Sequence, residues 1–238
     1  MIYKYYSNLS EYSISNFTDG VLCFSHIDDF KDKNEFDIIS DDEQLVGTGL
    51  DLSSYLKEYR AFLVRICSLC KRNNSKYMWK EYANDSNGFC LGYEVIDILK
   101  ADAKIIYGNV EYKNTIPKLS ESFTQYEIFV NQIFRKLLRF ENENELRLAY
   151  IYPEESIKKV DFNANIDEDM FIKYLPISKN FETIKDPCYE VLPRVTLVSV
   201  TPKKVIIGKN CNDEYKRKLM NVANKKGIII ENQGDIID

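Results

Sequence analysis

Between Met78 and Val95 the chain reads MWKEYANDSNGFCLGYEV, and this segment constrains the fold more than any other. From Tyr77 to Asn84 the spacing is helical, with Met78 and Tyr82 on one side and Trp79 and Ala83 beside them. Asn87-Gly88 stops that helix, because such a pair takes turn conformations at little cost, and Phe89 to Val95 is apolar enough to be a strand. A helix, a turn and a strand in so short a run predict a mixed α and β protein.

The rest of the chain extends the pattern. Strands are predicted at Ile2–Tyr6, Val21–Ser25 and Phe62–Leu69, the last dense enough in apolar residues to be central. Ile14 and Phe17 mark a short helix that Gly20 stops, and Ser53 or Ser54 caps another carrying Tyr55, Leu56 and Tyr59. Asp28 to Glu43 is acidic and poor in apolar residues, which predicts a surface loop. Lys104–Tyr107 and Val110–Lys113 read as two strands broken by Gly108. Ser122 and Gln125 resemble a capping box, and Tyr126, Phe129, Val130, Ile133, Phe134, Leu137 and Leu138 repeat at helical spacing as far as Arg139. ENENE then leads into a strand at Leu146–Tyr152, stopped by Pro153. Further strands are expected at Met170–Leu175, Val195–Val200, Lys204–Ile207 and Ile228–Glu231, with a helix from Asn212 to about Lys225 ended by Gly227. Asp186-Pro187 is the best seam, dividing a main α+β domain (1–185) from a small β-α-β extension (186–238), unless the two form one domain.

Composition narrows the chemistry. With 238 residues, 45% hydrophobic, the chain buries a core without staples, so its six cysteines read as free thiols. Cys67 and Cys70 have zinc-type spacing but no second close pair. The opening residues lack the apolar run of a signal peptide, and no stretch reaches the length of a membrane span, which predicts a cytoplasmic protein. His26 is the sole histidine, so acid–base work falls to carboxylates. A net charge of −5 argues against a protein that coats nucleic acid, while Lys216, Arg217 and Lys218 form a local basic patch or a solvated helix face.

Three segments together resemble the bacterial domain-of-unknown-function 2971 family, recurrent in mobile and phage-defence neighbourhoods. They are YKYYS with CFSHIDDFKDKNEFD, the MWKEYANDSNGFCLGYEV segment, and FENENELRL. The family's pattern falls on Phe24 and Ser25, on Met78, Trp79, Tyr82, Ala83 and Gly88, and on Glu143, Glu145 and Arg147. Lys31 and Lys33 depart from its Asn and Pro, and Phe140 from its Trp. The chain also resembles the ADP-ribosyltransferase fold, with Tyr3 and Tyr5 in the first strand, Ser75, Tyr77, Trp79 and Tyr82 in the middle, and Glu145 opening a late strand with Glu143 as a Glu-x-Glu pair.

That second resemblance implies an α+β fold with a split, mostly antiparallel sheet, and an enzyme that transfers ADP-ribose from NAD to a protein or nucleic-acid acceptor, or cleaves NAD, as a phage-defence or toxin effector. Glu145 and Glu143 would be its catalytic carboxylates; Tyr3, Tyr5, Ser25, Trp79, Tyr82 and Arg147 would hold NAD. The residue types suit the chemistry. A fixed carboxylate stabilises the positive charge that builds on the ribose as nicotinamide leaves, a second accepts a proton, aromatic rings stack, and an arginine pairs with the pyrophosphate. Period-2 alternation offers a plainer account, in which Glu143, Glu145 and Arg147 form a surface ion pair on a half-exposed strand and Trp79 and Tyr82 are core anchors. The rival function is a non-enzymatic sensor or interaction module that meets a defence-system partner through the acidic loop; a metal-dependent nuclease lacks a compact ligand spacing.

Overall fold

In strands Val64–Cys70 and Glu145–Ile151 nearly every residue is buried, so both faces of this part of the sheet are covered and the two strands form its centre. The computed structural model describes residues 1–30, 32, 35–37, 39–40, 63–116, 118–119, 125–152 and 193–235. In chain order these form β1 (Ile2–Tyr6), α1 (Glu11–Asp19), β2 (Val21–His26), β3 (Ile39–Ser40), β4 (Val64–Cys70), α2 (Lys76–Glu81), β5 (Phe89–Tyr93), α3 (Val95–Ala101), β6 (Ile105–Asn109), β7 (Glu111–Lys113), β8 (Lys118–Leu119), α4 (Gln125–Ile133), β9 (Arg135–Leu137), β10 (Glu145–Ile151), β11 (Val195–Ser199), β12 (Lys204–Ile207), α5 (Asp213–Lys226) and β13 (Ile229–Asn232). Single 3-10 segments cover Ile27–Asp29 and Leu138–Glu143.

The fold is α+β, built on an open, mostly antiparallel sheet of nine strands. One edge of β4 pairs along its whole length with β10, which pairs in turn with β6. The other edge is shared: β2 takes Arg65 and Ile66, β1 takes Cys70, and the stretch between them pairs with neither. Beyond β1 the sheet continues through β5 and β12 to β13, and beyond β2 it ends at β11. The sheet therefore parts between β1 and β2. The closing β12-α5-β13 unit extends this same sheet, β12 antiparallel to β5 and β13 parallel to β12.

Alternation along the strands divides the core. Leu146, Leu148 and Tyr150, with Cys67 and Leu69, face a large apolar cluster completed by Phe17, Leu22, Phe24, Phe89, Ile98, Leu219 and Ala223 from the elements around it. The opposite face carries two smaller clusters. Ile66, Ile128, Ile133 and Ala149 form one with α4, and Tyr5, Cys70, Met78, Trp79 and Cys90 form the other with α2. Cys67 and Cys70 thus sit on opposite faces, where one metal ion cannot reach both.

The signature segment gives the expected order of helix, turn and strand with other bounds: α2 ends at Glu81, and a left-handed run at Asn84–Ser86 turns the chain ahead of Asn87-Gly88, while Ser75 Oγ accepts from Met78 N at 3.3 Å as the cap of α2. Asn84, Asp85 and Ser86 then all have positive φ, at 50°, 49° and 65°, a run that costs backbone energy, least at the Asn and Asp, whose short polar side chains tolerate it. Side-chain amides hold the run in place: Asn84 Nδ2 donates to Asn8 Oδ1, and Asn210 Nδ2 donates to Asp85 O. A Cβ on Gly88 would lie 1.9 Å from Tyr6 O, so strand β1 passes where only glycine fits.

Several expectations need correction. The helix expected to reach Arg139 stops at Ile133; Arg135–Leu137 instead pairs in parallel with β7, a partner that local periodicity cannot see. The strand expected to reach Val95 ends at Tyr93, and Val95 opens α3. Gly108 does not break its strand, because it lies within β6 where the Phe134 ring packs 2.9 Å from its Cβ position. The acidic stretch after Asp28 is not wholly at the surface, since Glu35 and Phe36 are buried and Phe36 meets Phe30 edge to face at 5.1 Å. The Ser53–Tyr59 helix, the Met170–Leu175 strand, the Ser122 cap and the Asp186-Pro187 seam lie outside the described residues. Among the described residues no helix is long and apolar enough to cross a membrane.

Candidate functional site

On the face that carries the two smaller clusters, the alternation of β10 puts Glu145 and Arg147 side by side, flanked by apolar packing on either hand. Arg147 is fully buried and grips Glu145 with two nitrogens, Nε to Oε1 at 2.8 Å and Nη2 to Oε2 at 3.1 Å. Its Nη2 also pairs with Glu35, and Nη1 donates to Ile133 O. Because Arg135–Leu137 is a strand, Lys136 points inward, and its ammonium lies 2.7 Å from Glu143, 3.1 Å from Glu35 and 3.5 Å from Glu145. Asn144 takes a left-handed conformation, φ 44°, which turns the chain out of the 3-10 segment so that Glu143 and Glu145 meet the same ammonium. Glu143 also accepts from Tyr82 Oη at 2.7 Å, and Tyr112 Oη accepts from the Glu145 amide at 2.8 Å.

Three carboxylates thus surround two cations, and the environment treats the carboxylates differently. Burial pushes Glu145 upward, but the Arg147 guanidinium and Lys136, with the Ser68 hydroxyl adding to them, hold it down at about 2. Glu35 moves the other way: its burial outweighs the pull of Arg147 and Lys136, and nearby Glu145 adds to the rise. Burial disfavours the Lys136 ammonium, yet Glu145, Glu35 and Glu143 together keep it protonated. Tyr82 is raised by burial and by the adjacent Glu143 charge, so it stays a phenol and a donor.

This group forms one end of a cleft of about 360 Å³ at the parting of the sheet. Tyr3, Lys4 and Tyr5 from β1, Ser25 from β2, Ile66 to Cys70 of β4 except Cys67, and Tyr77, Met78, Glu81 and Tyr82 from around α2 form its walls. Among the described residues its lining carries the carboxylates Asp29, Asp32, Glu35, Glu81, Glu143 and Glu145 with the cations Lys4 and Lys136, while from outside the lining Arg194 pairs with Asp29, Arg139 with Asp32, and Arg147 with Glu35 and Glu145. Lys4 Nζ donates to Ser68 O at 2.9 Å, bridging the gap between β1 and the unpaired stretch of β4.

Of the residues singled out from sequence, Tyr3, Tyr5, Ser25, Tyr82, Glu143 and Glu145 all line this cleft. Trp79 stands behind it, 1% exposed, edge to face with Tyr5 at 5.2 Å and with Nε1 donating to Asn73 O at 2.8 Å, a core anchor that holds the Tyr5 ring. Arg147 lies beneath the floor with its guanidinium nitrogens engaged by protein groups, so it positions Glu145 and does not face a ligand's phosphates. Glu145 and Arg147 do share one face opposite Leu146 and Leu148, as alternation predicts, but that face is buried and Glu143 belongs to the preceding 3-10 segment. Sequence reasoning missed Glu35 and Lys136: the first is hidden in an acidic run, the second in a helical periodicity that the chain does not follow.

The fold and the cleft define an α+β protein with an open, mostly antiparallel sheet and a carboxylate-rich cavity where two strands part. Residues 78–148 match the model of a family described as Protein of unknown function (DUF2971), a match that takes in Met78, Trp79, Tyr82, Ala83 and Gly88 together with Glu143, Glu145 and Arg147. No curated protein and no solved structure matches the chain.

Proposed function

We propose that the cleft binds the nicotinamide-ribosyl end of NAD, breaks the bond between nicotinamide and ribose, and passes ADP-ribose to a macromolecule or to water, as a phage-defence or toxin effector in the cytoplasm. The observation that carries this reading is the convergence of Tyr3, Tyr5 and Ser25 with Tyr82, Glu143 and Glu145, far apart in the chain, on one cavity whose described lining is rich in carboxylates. Carboxylates fixed at the wall favour positive charge that develops beside them. Nicotinamide is cationic in NAD, and as it leaves with the bonding electron pair the ribose becomes oxocarbenium-like. The parting of the sheet between β1 and β2 also suits the split sheet of an ADP-ribosyltransferase fold.

In this reading Glu145, kept ionised by Arg147 and Lys136, supplies fixed charge at the developing cation, an effect worth about 10²- to 10³-fold in rate. Glu143, bonded to Tyr82 and Lys136, takes the proton of the incoming nucleophile. Tyr3 and Tyr5 offer ring faces to the nicotinamide. The test is nicotinamide release from NAD by the wild type, Glu143→Gln and Glu145→Gln, with circular dichroism to confirm folding. A loss of about 100-fold or more in folded variants supports the reading; no release by the wild type, or release indifferent to both changes, overturns it.

One observation favours the sensor or interaction module instead: the floor carboxylates already have partners in Lys136, Arg147 and Tyr82, as a buried strut would. A strut predicts that Glu143→Gln lowers stability and leaves no activity to lose.

A further inference from the structure

A second cavity, about 680 Å³, lies beside the acidic cleft and has the opposite charge. Among the described residues Lys71, Arg72, Lys76 and Lys80 line it with one carboxylate, Glu141, and with Asn142, Asn144, Tyr77 and Tyr112. The two cavities share Tyr77, and the chain between Glu141 and Glu145 divides them: Glu143 and Glu145 line the acidic one, while Glu141, Asn142 and Asn144 line the basic one. Tyr112 ties the walls together through its bond to the Glu145 amide.

Three of these cations, Lys71, Arg72 and Lys80, are placed for a ligand. Lys71 and Arg72 are exposed and form no ion pair among the described residues, and Lys80 has only a surface contact with Glu81 at 3.3 Å. Four long cationic side chains, spread from residue 71 to residue 80, exceed what one diphosphate needs. Cationic side chains with aromatic rings and amides among them match the way single strands are held, phosphates on the cations and bases against rings. We propose that this basic cavity binds the phosphate backbone of single-stranded nucleic acid. A bound strand keeps its backbone in the basic cavity and presents a base or ribose hydroxyl towards Glu143. That acceptor role rests on the NAD reading; the binding itself does not.

The test uses no NAD, so its outcome is separate from that of the nicotinamide assay. Fluorescence anisotropy is measured with a labelled single strand of about 12 nucleotides. If four phosphates are neutralised, log K should fall with log salt at a slope of about −3, so that binding weakens about 50-fold between 50 and 200 mM salt. Lys71→Glu/Arg72→Glu, two exposed changes, should weaken binding at least 10-fold and reduce the slope by about half. The equal charge reversal Lys216→Glu/Arg217→Glu on α5 should change it less than twofold. Absence of binding overturns the proposal, as does equal weakening by both double variants. It also fails if Lys71→Glu/Arg72→Glu binds the single strand as tightly as the wild type does.

Discussion

Replacing Lys136 by Met tests the buried ionic group most sharply, because the flexible side chain, one heavy atom shorter, fills most of the same space but loses the charge, and with it the ammonium's contact 4.8 Å over the Phe140 ring. The ammonium lies 2.7, 3.1 and 3.5 Å from three carboxylates. At an effective dielectric of about 20 the gross attraction to each is about 5 kcal/mol, most of which offsets the cost of taking the ammonium out of water. The net loss on removing one member of such a buried group is about 3–5 kcal/mol. The loss should depend on pH. Glu35 is already raised by burial, and without Lys136 it rises further. A carboxyl whose folded pKa exceeds its unfolded value takes up its proton first in the folded state, so stability is gained as pH falls through the folded value and levels off below about 4.3. Urea unfolding of Lys136→Met should therefore show a penalty at pH 5 smaller than at pH 8 by about 1 kcal/mol or more. Adding Glu35→Gln, whose amide oxygen still accepts from Arg147, should restore about 2 kcal/mol at pH 8. A penalty equal at both pH values and untouched by Glu35→Gln would refute the electrostatic account.

Three other outcomes are expected. Gly88→Ala forces a Cβ to within 1.9 Å of Tyr6 O and should cost about 3 kcal/mol or more, seen as a large fall in urea midpoint or loss of folded protein. Glu145 has a folded pKa depressed to about 2, so its contribution is fully present above its unfolded value and is lost as pH falls towards 2; about 3 kcal/mol should disappear across that limb, and Glu145→Gln should flatten it. Asn212 caps α5 by accepting from Tyr215 N at 2.8 Å, so Asn212→Ala should lower stability by about 1 kcal/mol in thermal unfolding.

Local patterns made much of the frame legible. Period-2 alternation placed Glu145 and Arg147 opposite Leu146 and Leu148, and Gly20, Asn212 and Gly227 mark helix ends where they stand in the structure. What local pattern could not show is pairing. The shared edge of β4, which opens the cleft, depends on two strands meeting a third far along the chain, β1 through Tyr3 and Cys70 and β2 through Ser25 and Ile66. Lys136 looked like one more helix position because its neighbours repeat at helical spacing, and only its pairing with β7 turns it towards the carboxylates. Glu35 sits in an acidic run that reads as solvated, and its burial follows from Arg147 and Lys136 reaching it from elsewhere. Trp79 was legible as an aromatic at the site, but not as the support behind Tyr5.

Hydrogen–deuterium exchange with and without NAD tests most directly where the ligand sits. The account predicts slower exchange in the segments that line the acidic cleft, Tyr3–Tyr5, Ser68–Cys70, Tyr77–Tyr82 and Glu143–Glu145, with α5 unchanged. Unaltered exchange at saturating NAD, or protection confined to other elements, would contradict it.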